Sequence, residues 1–220
     1  KCDQPYRLTD QLRKDQQEIT KEGYYLSPKD LMTLDHLQAL IDVGVDSLKI
    51  EGRMKSPSYV ALTTSIYQTA VQQLREQKPL DTIQEHIAAL ATAFNRQFTK
   101  GFTFKDRDQA FGSPHASNHQ GWKIGEVIAV EKGLPIVALE GQLHLHDGIR
   151  FVEGDHHSGL VVNEMYCNGH LVKEAFPHDV VMLETKLPIR VGALVYKTVD
   201  AQHQKQLDIR LTKENNKTQI

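Results

Sequence analysis

A short segment in the first half of the chain holds the residues best suited to chemistry. In DSLKIEGRMKSPSY, Glu51 and Arg53 are separated by one glycine. A carboxylate beside a guanidinium can orient a substrate, hold an anionic group by two hydrogen bonds or set a proton-transfer pKa. We therefore take Glu51 and Arg53 as candidate catalytic residues, and Lys49 and Lys55 as candidate substrate-binding residues. The alternative is a Glu-Arg ion pair that only organises the loop.

Cysteine and histidine are the other residue types that could carry chemistry. Cys2 and Cys167 are the only two cysteines, and they lie far apart in sequence. A thiolate can be a nucleophile or a soft metal ligand, but a lone cysteine is usually inert. His144 and His146 could share one strand face near Asp147, a geometry that suits Zn²⁺ or Ni²⁺. The alternative is that these histidines are solvated loop residues, and no dedicated metal site is predicted.

Helical signals lie on both sides of the charged segment. A serine followed by a proline opens an apolar repeat that predicts a helix over about 28–43, and the same pair predicts a second helix from Pro57. A third helix is predicted over about 81–94. Residues 45–50, bounded by glycines, are predicted to form a strand, which places the charged side chains at its carboxyl end. This alternation is typical of a parallel α/β unit, whose ligands bind at the carboxyl ends of the strands.

The pattern changes near residue 101, where short runs of β-forming residues alternate with turn signals. The seven runs are WKIGEVIAV, PIVAL, GIRFVE, GLVVNEMY, HLVKEAF, VVMLE and ALVYKT. Seven short strands in so few residues predict a small antiparallel barrel or sandwich. The predicted organisation is an α/β part over 1–100, a polar linker over 101–121, a β domain over 122–200 and a tail over 201–220.

Composition excludes several classes of protein. With 26 Lys and Arg against 28 Asp and Glu, the chain lacks the positive excess of a nucleic-acid clamp, so any RNA contact must be local. No apolar run approaches the roughly 18 residues of a membrane span, and no secretion signal is visible, so we expect a cytoplasmic protein without a membrane partner. Zinc-protease, nucleophile-elbow and phosphate-loop motifs are absent. Because the chain opens directly on a cysteine motif without methionine, we expect a fragment of a longer protein.

Six motifs, in the same order and spacing over residues 1 to about 200, closely resemble the proteins of peptidase family U32, the collagenase-like proteases. The motifs are CDQPYR, YYLSPKDL, LIDVGVDSLKIEGRMKSPSYV, FNRQFTKGF, SNHQGWKIGEV and DGIRFV. The resemblance implies that this chain is the C-terminal part of such a protein. It also implies a fold of class α/β plus all-β, in which the C-terminal portion of a TIM-like barrel is followed by a small antiparallel β-barrel domain.

The resemblance implies three alternative functions. The first is RNA modification, with 5-hydroxylation of a tRNA wobble uridine as the expected reaction and tRNA as the partner. In it Arg53 and Lys55 bind an anionic group, and Glu51 orients or deprotonates the substrate. The second is a protease, as the family name says. The third is a noncatalytic subunit that works with a second U32 subunit in a heterodimer.

An iron–sulfur cluster is the cofactor that the resemblance implies for the full-length protein. Several relatives hold such a cluster by four cysteines, and Cys2 corresponds to one of these ligands. This chain departs from the pattern, because Tyr6 and Met32 stand where many relatives have cysteine. A thioether replaces a cluster thiolate poorly. Either this member has lost the cluster or it uses another ligand set.

Overall fold

The computed structural model describes residues 4–7, 22–104, 118–154 and 156–215, without the side chains of residues 210, 211 and 213–215. Contacts divide the chain into two compact units. Unit 1 combines Lys1–Thr33 with Asn95–Gln120, and unit 2 combines Leu34–Phe94 with Gly121–Ile220. The predicted division at residues 100, 121 and 200 stays a prediction, and most of the predicted linker lies outside the described residues.

Unit 1 is organised by two short strands, β1 (Asp30–Leu31) and β2 (Phe98–Thr99), which pair in parallel. Asp30 donates its backbone N–H to the carbonyl of Gln97, and its carboxylate accepts from Arg96 Nη2 at 2.6 Å. The prediction of a helix beginning at residue 28 is therefore wrong. Pairing with β2 uses backbone groups that a helix would need for its own hydrogen bonds.

Unit 2 begins with three helices. A 3-10 turn, Leu34–His36, leads into α1 (Leu37–Asp42), and these two elements are the helical part of the region predicted as one long helix. Helices α2 (Pro57–Arg75) and α3 (Ile83–Ala93) confirm the other two predictions.

Local signals explain why α2 forms where the sequence predicts it. The Ser56 Oγ accepts a hydrogen bond from the Tyr59 backbone N–H at 3.2 Å, and proline occupies the first helical position. Buried side chains then recur every four residues along one face of the helix. They are Ser58, Leu62, Ile66 and Ala70.

The predicted strand over residues 45–50 is not present in the structure. This segment has no assigned secondary structure and no ladder partner among the described residues. A strand is stabilised by its neighbours across the sheet, so a β-prone run without such a neighbour remains irregular. Val45 and Leu48 are both left about two-fifths exposed, at 40% and 39%.

The remainder of unit 2 is dominated by antiparallel strands, which confirms the predicted all-β character after residue 121. The strands are β3 (Trp122–Glu131), β4 (Leu134–Leu139), β5 (Leu143–His144), β6 (Gly148–Glu153), β7 (His156–Val161), β8 (Met165–Cys167), β9 (His170–Leu171), β10 (Glu174–Ala175), β11 (Val180–Leu183) and β12 (Leu194–Val199). Eight of them pair in the order β7-β6-β12-β3-β4-β11-β8-β9, and β5 pairs with β10. Side chains from both sets of strands form one hydrophobic core around Phe151 and Met165.

The large sheet is open, which corrects the prediction of a small closed barrel. Its two edges among the described residues are β7 and β9. Closure would require these edges to pair, but β9 has only two residues and offers almost no ladder. The TIM-like barrel stays a prediction.

Helix α4 (Ala201–Asn215) follows the last strand and was not predicted. It packs against α2 within unit 2. Asp200 begins the helix, because its carboxylate accepts from the His203 backbone N–H at 2.8 Å. Among the described residues, no helix is both long and apolar enough to cross a membrane.

Candidate functional site

The predicted catalytic loop is exposed and differs from its expected geometry. Glu51 forms an ion pair with Lys49, with 3.0 Å between Oε1 and Nζ, rather than with Arg53. The side chains of Lys49 and Glu51 are 85% and 72% exposed. Arg53 is also exposed and lies in a turn. An ion pair this accessible contributes little to stability, so these charges remain available to a ligand. Their catalytic roles stay predictions.

Lys55, the other predicted substrate-binding residue, contacts aromatic rings. Its Nζ lies 2.7 Å from the centroid of the Phe94 ring and 5.9 Å from that of Tyr59. The two rings meet edge to face, with centroids 6.4 Å apart. A cation over an aromatic face is attracted by the ring quadrupole. Lys55 is therefore half-buried at the junction of α2 and α3, and it differs from the exposed charges at residues 49–53.

Gly52 allows this loop to lie against α2. A Cβ built on Gly52 would stand 2.6 Å from Val60 Cγ2. Real Cβ atoms do not approach that closely, so any larger residue would displace the loop or the valine side chain. The close approach of the loop to Val60 therefore favours glycine at this position.

A small cavity lies beside the start of α2, within unit 2. Its volume is about 130 Å³, and its walls come from the first turns of α2 and α4, the end of α3 and the end of β12. The polar side chains that line it include those of Ser56, Ser58, Thr92, His203 and Gln204. No local sequence pattern indicates this site, because its walls come from parts of the chain more than 100 residues apart.

A hydrogen-bonded network fixes one wall of the cavity. The Gln204 amide donates from Nε2 to Ser58 Oγ at 2.7 Å and to Asp208 Oδ1 at 3.1 Å. Ser58 Oγ donates to the same carboxylate oxygen at 3.2 Å. Because the carboxylate only accepts, the amide nitrogen must face it, and the Gln204 carbonyl oxygen is left as an acceptor.

A buried charge cluster lies at the junction of β12 and α4. Asp147 is fully buried, and its Oδ2 lies 2.8 Å from Lys197 Nζ. The same carboxylate accepts from the backbone N–H groups of His144 and Ala201, each at 2.9 Å. Lys197 Nζ also lies 3.7 Å from Asp200 Oδ2. Charges are tolerated in such a place only when they are paired and hydrogen-bonded, so this cluster joins the last strand to the last helix.

One of the histidines that suggested a metal site, His144, takes part in this structural arrangement, whereas His146 is exposed. His144 is buried rather than solvated, which corrects the loop interpretation for this residue. Its Nδ1 lies 3.6 Å from Asp147 Oδ2, but that oxygen is already committed to Lys197. Nowhere in the described part of the chain do three or more ligating side chains form a metal-binding group.

Two of the positions at which relatives have cluster cysteines, Tyr6 and Met32, carry no thiol in this chain. Tyr6 pairs its backbone with Gly23, and Met32 donates its N–H to the Thr99 carbonyl. A phenol and a thioether are poor substitutes for cluster thiolates. Cys2 lies outside the described residues, and Cys167, a free thiol on β8, belongs to the other unit. Among the described residues Cys167 is the one thiol, and the cluster stays a prediction.

Comparison with known proteins identifies the family. The model of peptidase family U32 matches residues 1–111, which is half of the chain. The chain therefore belongs to peptidase family U32.

Three relatives carry names of two kinds. An uncharacterized protease of Methanocaldococcus jannaschii is 32% identical over 63% of this chain and 35% of its own length. The tRNA hydroxylation protein P of Haemophilus influenzae is 27% identical over 81% of this chain and 43% of its own. A 23S rRNA 5-hydroxycytidine synthase of Escherichia coli is 31% identical over 81% of this chain and 28% of its own. The chain thus spans less than half the length of each of these relatives.

Among solved structures, the C-terminal domain of a U32 peptidase of Geobacillus thermoleovorans superposes with a TM-score of 0.33. The sequence identity is 17%, and the match covers 34% of this chain and 91% of that domain.

Proposed function

We propose that this chain is part of an RNA-modifying U32 protein that adds a hydroxyl group at carbon 5 of a pyrimidine, with a tRNA wobble uridine as the target. One observation carries the proposal. Two of the relatives whose names specify RNA hydroxylation each match 81% of the chain. Matches of that extent must continue past residue 111, beyond the segment that defines the family. The similarity to RNA-modifying enzymes therefore includes the β-rich part.

Within this proposal the exposed loop acts on the RNA. Arg53 and Lys49 would bind a phosphate or another anionic group, as Lys55 would after leaving its aromatic contact. Glu51 would orient the substrate or accept a proton. Cys2 keeps its predicted role as a ligand of a cluster or of its remnant. We propose the cytoplasm as the place of action.

Nucleoside mass spectrometry of total tRNA tests the proposal. We expect a strain that lacks the full-length gene to lose 5-hydroxyuridine-type nucleosides and to regain them when the gene is restored. A strain that also lacks every U32 paralogue removes compensation. Unchanged nucleosides in that strain would exclude tRNA as the substrate.

Proteolysis is the second candidate, favoured by the protease name of one relative. It predicts that purified full-length protein cleaves a collagen-like or other peptide, and that Glu51→Gln abolishes the cleavage. Cleavage that persists in this variant would remove Glu51 from any peptidase mechanism.

A noncatalytic subunit is the third candidate, favoured by Tyr6 and Met32 at the cysteine positions. It predicts that the full-length protein restores the nucleosides only when a second U32 protein is present. Restoration by the protein alone would contradict it.

A further inference from the structure

The cavity between α2, α3 and α4 has the dimensions and polarity of a site for one planar ring. Its volume of about 130 Å³ is close to the roughly 150 Å³ of a cavity that holds a benzene molecule. The cavity is open on one side, and a purine with two fused rings would extend further out of it than a single ring. Unlike a dry cavity, this one carries hydroxyl, carboxamide and imidazole groups, so it suits a ring with polar edges.

The walls provide both the apolar and the polar contacts that such a ring needs. The ring of Tyr59 and the side chains of Leu62 and Leu207 supply apolar surface. Leu62 and Leu207 are 6% and 9% exposed, so this apolar surface is largely shielded from solvent. Base-binding enzymes likewise hold a base between aromatic or apolar side chains and recognise its polar edge by hydrogen bonds.

The polar groups are arranged as fixed acceptors and available donors. The Gln204 carbonyl oxygen is left as an acceptor because its amide nitrogen is committed to Ser58 and Asp208. The Ser56 hydroxyl accepts from Tyr59 N–H and can itself donate. Among the described residues, no hydrogen bond reaches the imidazole of His203, which can donate or accept.

The charges near the cavity exclude an anion as the natural ligand. Asp200 lines the cavity, and its carboxylate would repel a phosphate. The nearest described cation to that carboxylate, Lys197, is committed to Asp147. A neutral ring that presents an N–H donor beside carbonyl acceptors fits this arrangement, and uracil and cytosine are such rings.

We propose that this cavity binds a single pyrimidine base of the RNA substrate, with the Gln204 carbonyl oxygen accepting from the base and His203 contacting its other polar edge. The proposal deepens the proposed function and rests on it for the identity of the RNA. Base binding itself is a property of unit 2 and can be measured without any modification reaction.

NMR titration of the full chain with nucleosides tests the proposal. We expect uridine and cytidine to shift the ring signals of His203 and to leave those of exposed His170 unchanged, whereas adenosine and ribose shift neither. Absence of any His203 shift at saturating uridine would overturn the proposal. An equal response to adenosine, or to ribose alone, would also overturn it.

A matched pair of variants locates the binding site. Gln204→Met removes an acceptor that lines the cavity, and Gln202→Met makes the same change on the same helix outside the cavity; both glutamines are exposed. We expect the first to weaken uridine binding about tenfold and the second to leave it unchanged. Equal effects of the two variants would refute the assignment.

A third variant fills the space rather than removing a contact. Ala89→Leu places a larger side chain in the cavity and should abolish uridine binding, while Gln84→Leu, exposed on the same helix, should not. If Ala89→Leu does not fold, the glutamine pair alone decides the question.

The binding experiments and the nucleoside analysis can fail independently. Uridine binding together with unchanged tRNA nucleosides would refute the proposed function and leave the cavity assignment standing. Loss of tRNA nucleosides in the deletion strain without uridine binding would refute only the cavity assignment.

Discussion

Two pairs of charged side chains in unit 2, Lys49 with Glu51 and Lys197 with Asp147, differ in exposure and in hydrogen bonding. Lys49 and Glu51 are exposed and form an ion pair with each other, and no other ion pair involves them within the described part of the chain. Lys197 and Asp147 are buried, and Asp147 also accepts two backbone hydrogen bonds. Removing an exposed charge disturbs only its solvation, whereas removing a buried one leaves an unpaired charge in the interior. The buried charges hold the fold together, and the exposed ones are free to act on a ligand.

Lys197→Met gives the largest expected effect. It leaves the Asp147 carboxylate buried without its cation, which should lower the free energy of unfolding by about 3–5 kcal/mol in a denaturant titration. Lys49→Met, the same change in the exposed pair, should lower it by less than about 1 kcal/mol. Comparable losses in the two variants would abolish the distinction between the groups.

Gly52→Ala tests how tightly the exposed loop is held on α2. The new methyl group meets Val60 Cγ2, which should destabilise the protein by about 1–3 kcal/mol in the same titration. Adding Val60→Ala should recover most of that loss, since it removes the clashing group. If Val60→Ala does not restore the stability lost in Gly52→Ala, the contact with Val60 is not the cause of that loss.

Ser56→Ala removes the hydroxyl that caps α2 between the loop and the cavity. It should cost about 1 kcal/mol of unfolding free energy, because the Tyr59 N–H loses its acceptor. Ser47→Ala, in the exposed segment before the loop, is the control and should stay within about 0.5 kcal/mol. Equal losses of unfolding free energy in the two variants would show that the capping hydrogen bond does not stabilise α2.

The smallest expected effect is a change in the pKa of Tyr166 on β8. The Tyr166 hydroxyl donates to Glu164 at 2.8 Å, and this hydrogen bond raises the pKa of the phenol because it favours the protonated form. Spectrophotometric titration of Glu164→Gln should show the Tyr166 pKa falling toward about 10. Glu184→Gln, a weaker Coulombic contributor, should lower the Tyr166 pKa less, and a larger fall in that variant would contradict the assignment.

Sequence reasoning succeeded where the determinants of structure are local. The serine-proline pair at Ser56 predicts α2 because capping depends on residues within one turn. The boundary between the first two β-forming runs, WKIGEVIAV and PIVAL, is likewise local, because Lys132 and Gly133 form the turn between β3 and β4 with positive φ, at 51° and 83°.

It failed where the determinants are distant. Whether residues 45–50 form a strand depends on a neighbouring strand, which no local pattern reports. The pairing of β1 with β2 likewise prevents the helix that the local sequence around Asp30 indicates. The two strands lie more than 60 residues apart in sequence. The burial of Asp147 and the cavity at Gln204 arise from the packing of α4, whose polar sequence gave only a weak apolar repeat.

The proposed function depends most directly on Glu51, as an exposed residue that acts on RNA rather than one that stabilises the fold. The direct measurement is nucleoside mass spectrometry of tRNA from a strain lacking the full-length gene and its U32 paralogues, complemented with wild-type protein, Glu51→Gln or the exposed control Glu85→Gln. We predict that Glu51→Gln accumulates as folded protein yet restores no 5-hydroxyuridine-type nucleosides, while the wild type and Glu85→Gln restore them. Full restoration by Glu51→Gln would contradict the role assigned to this loop.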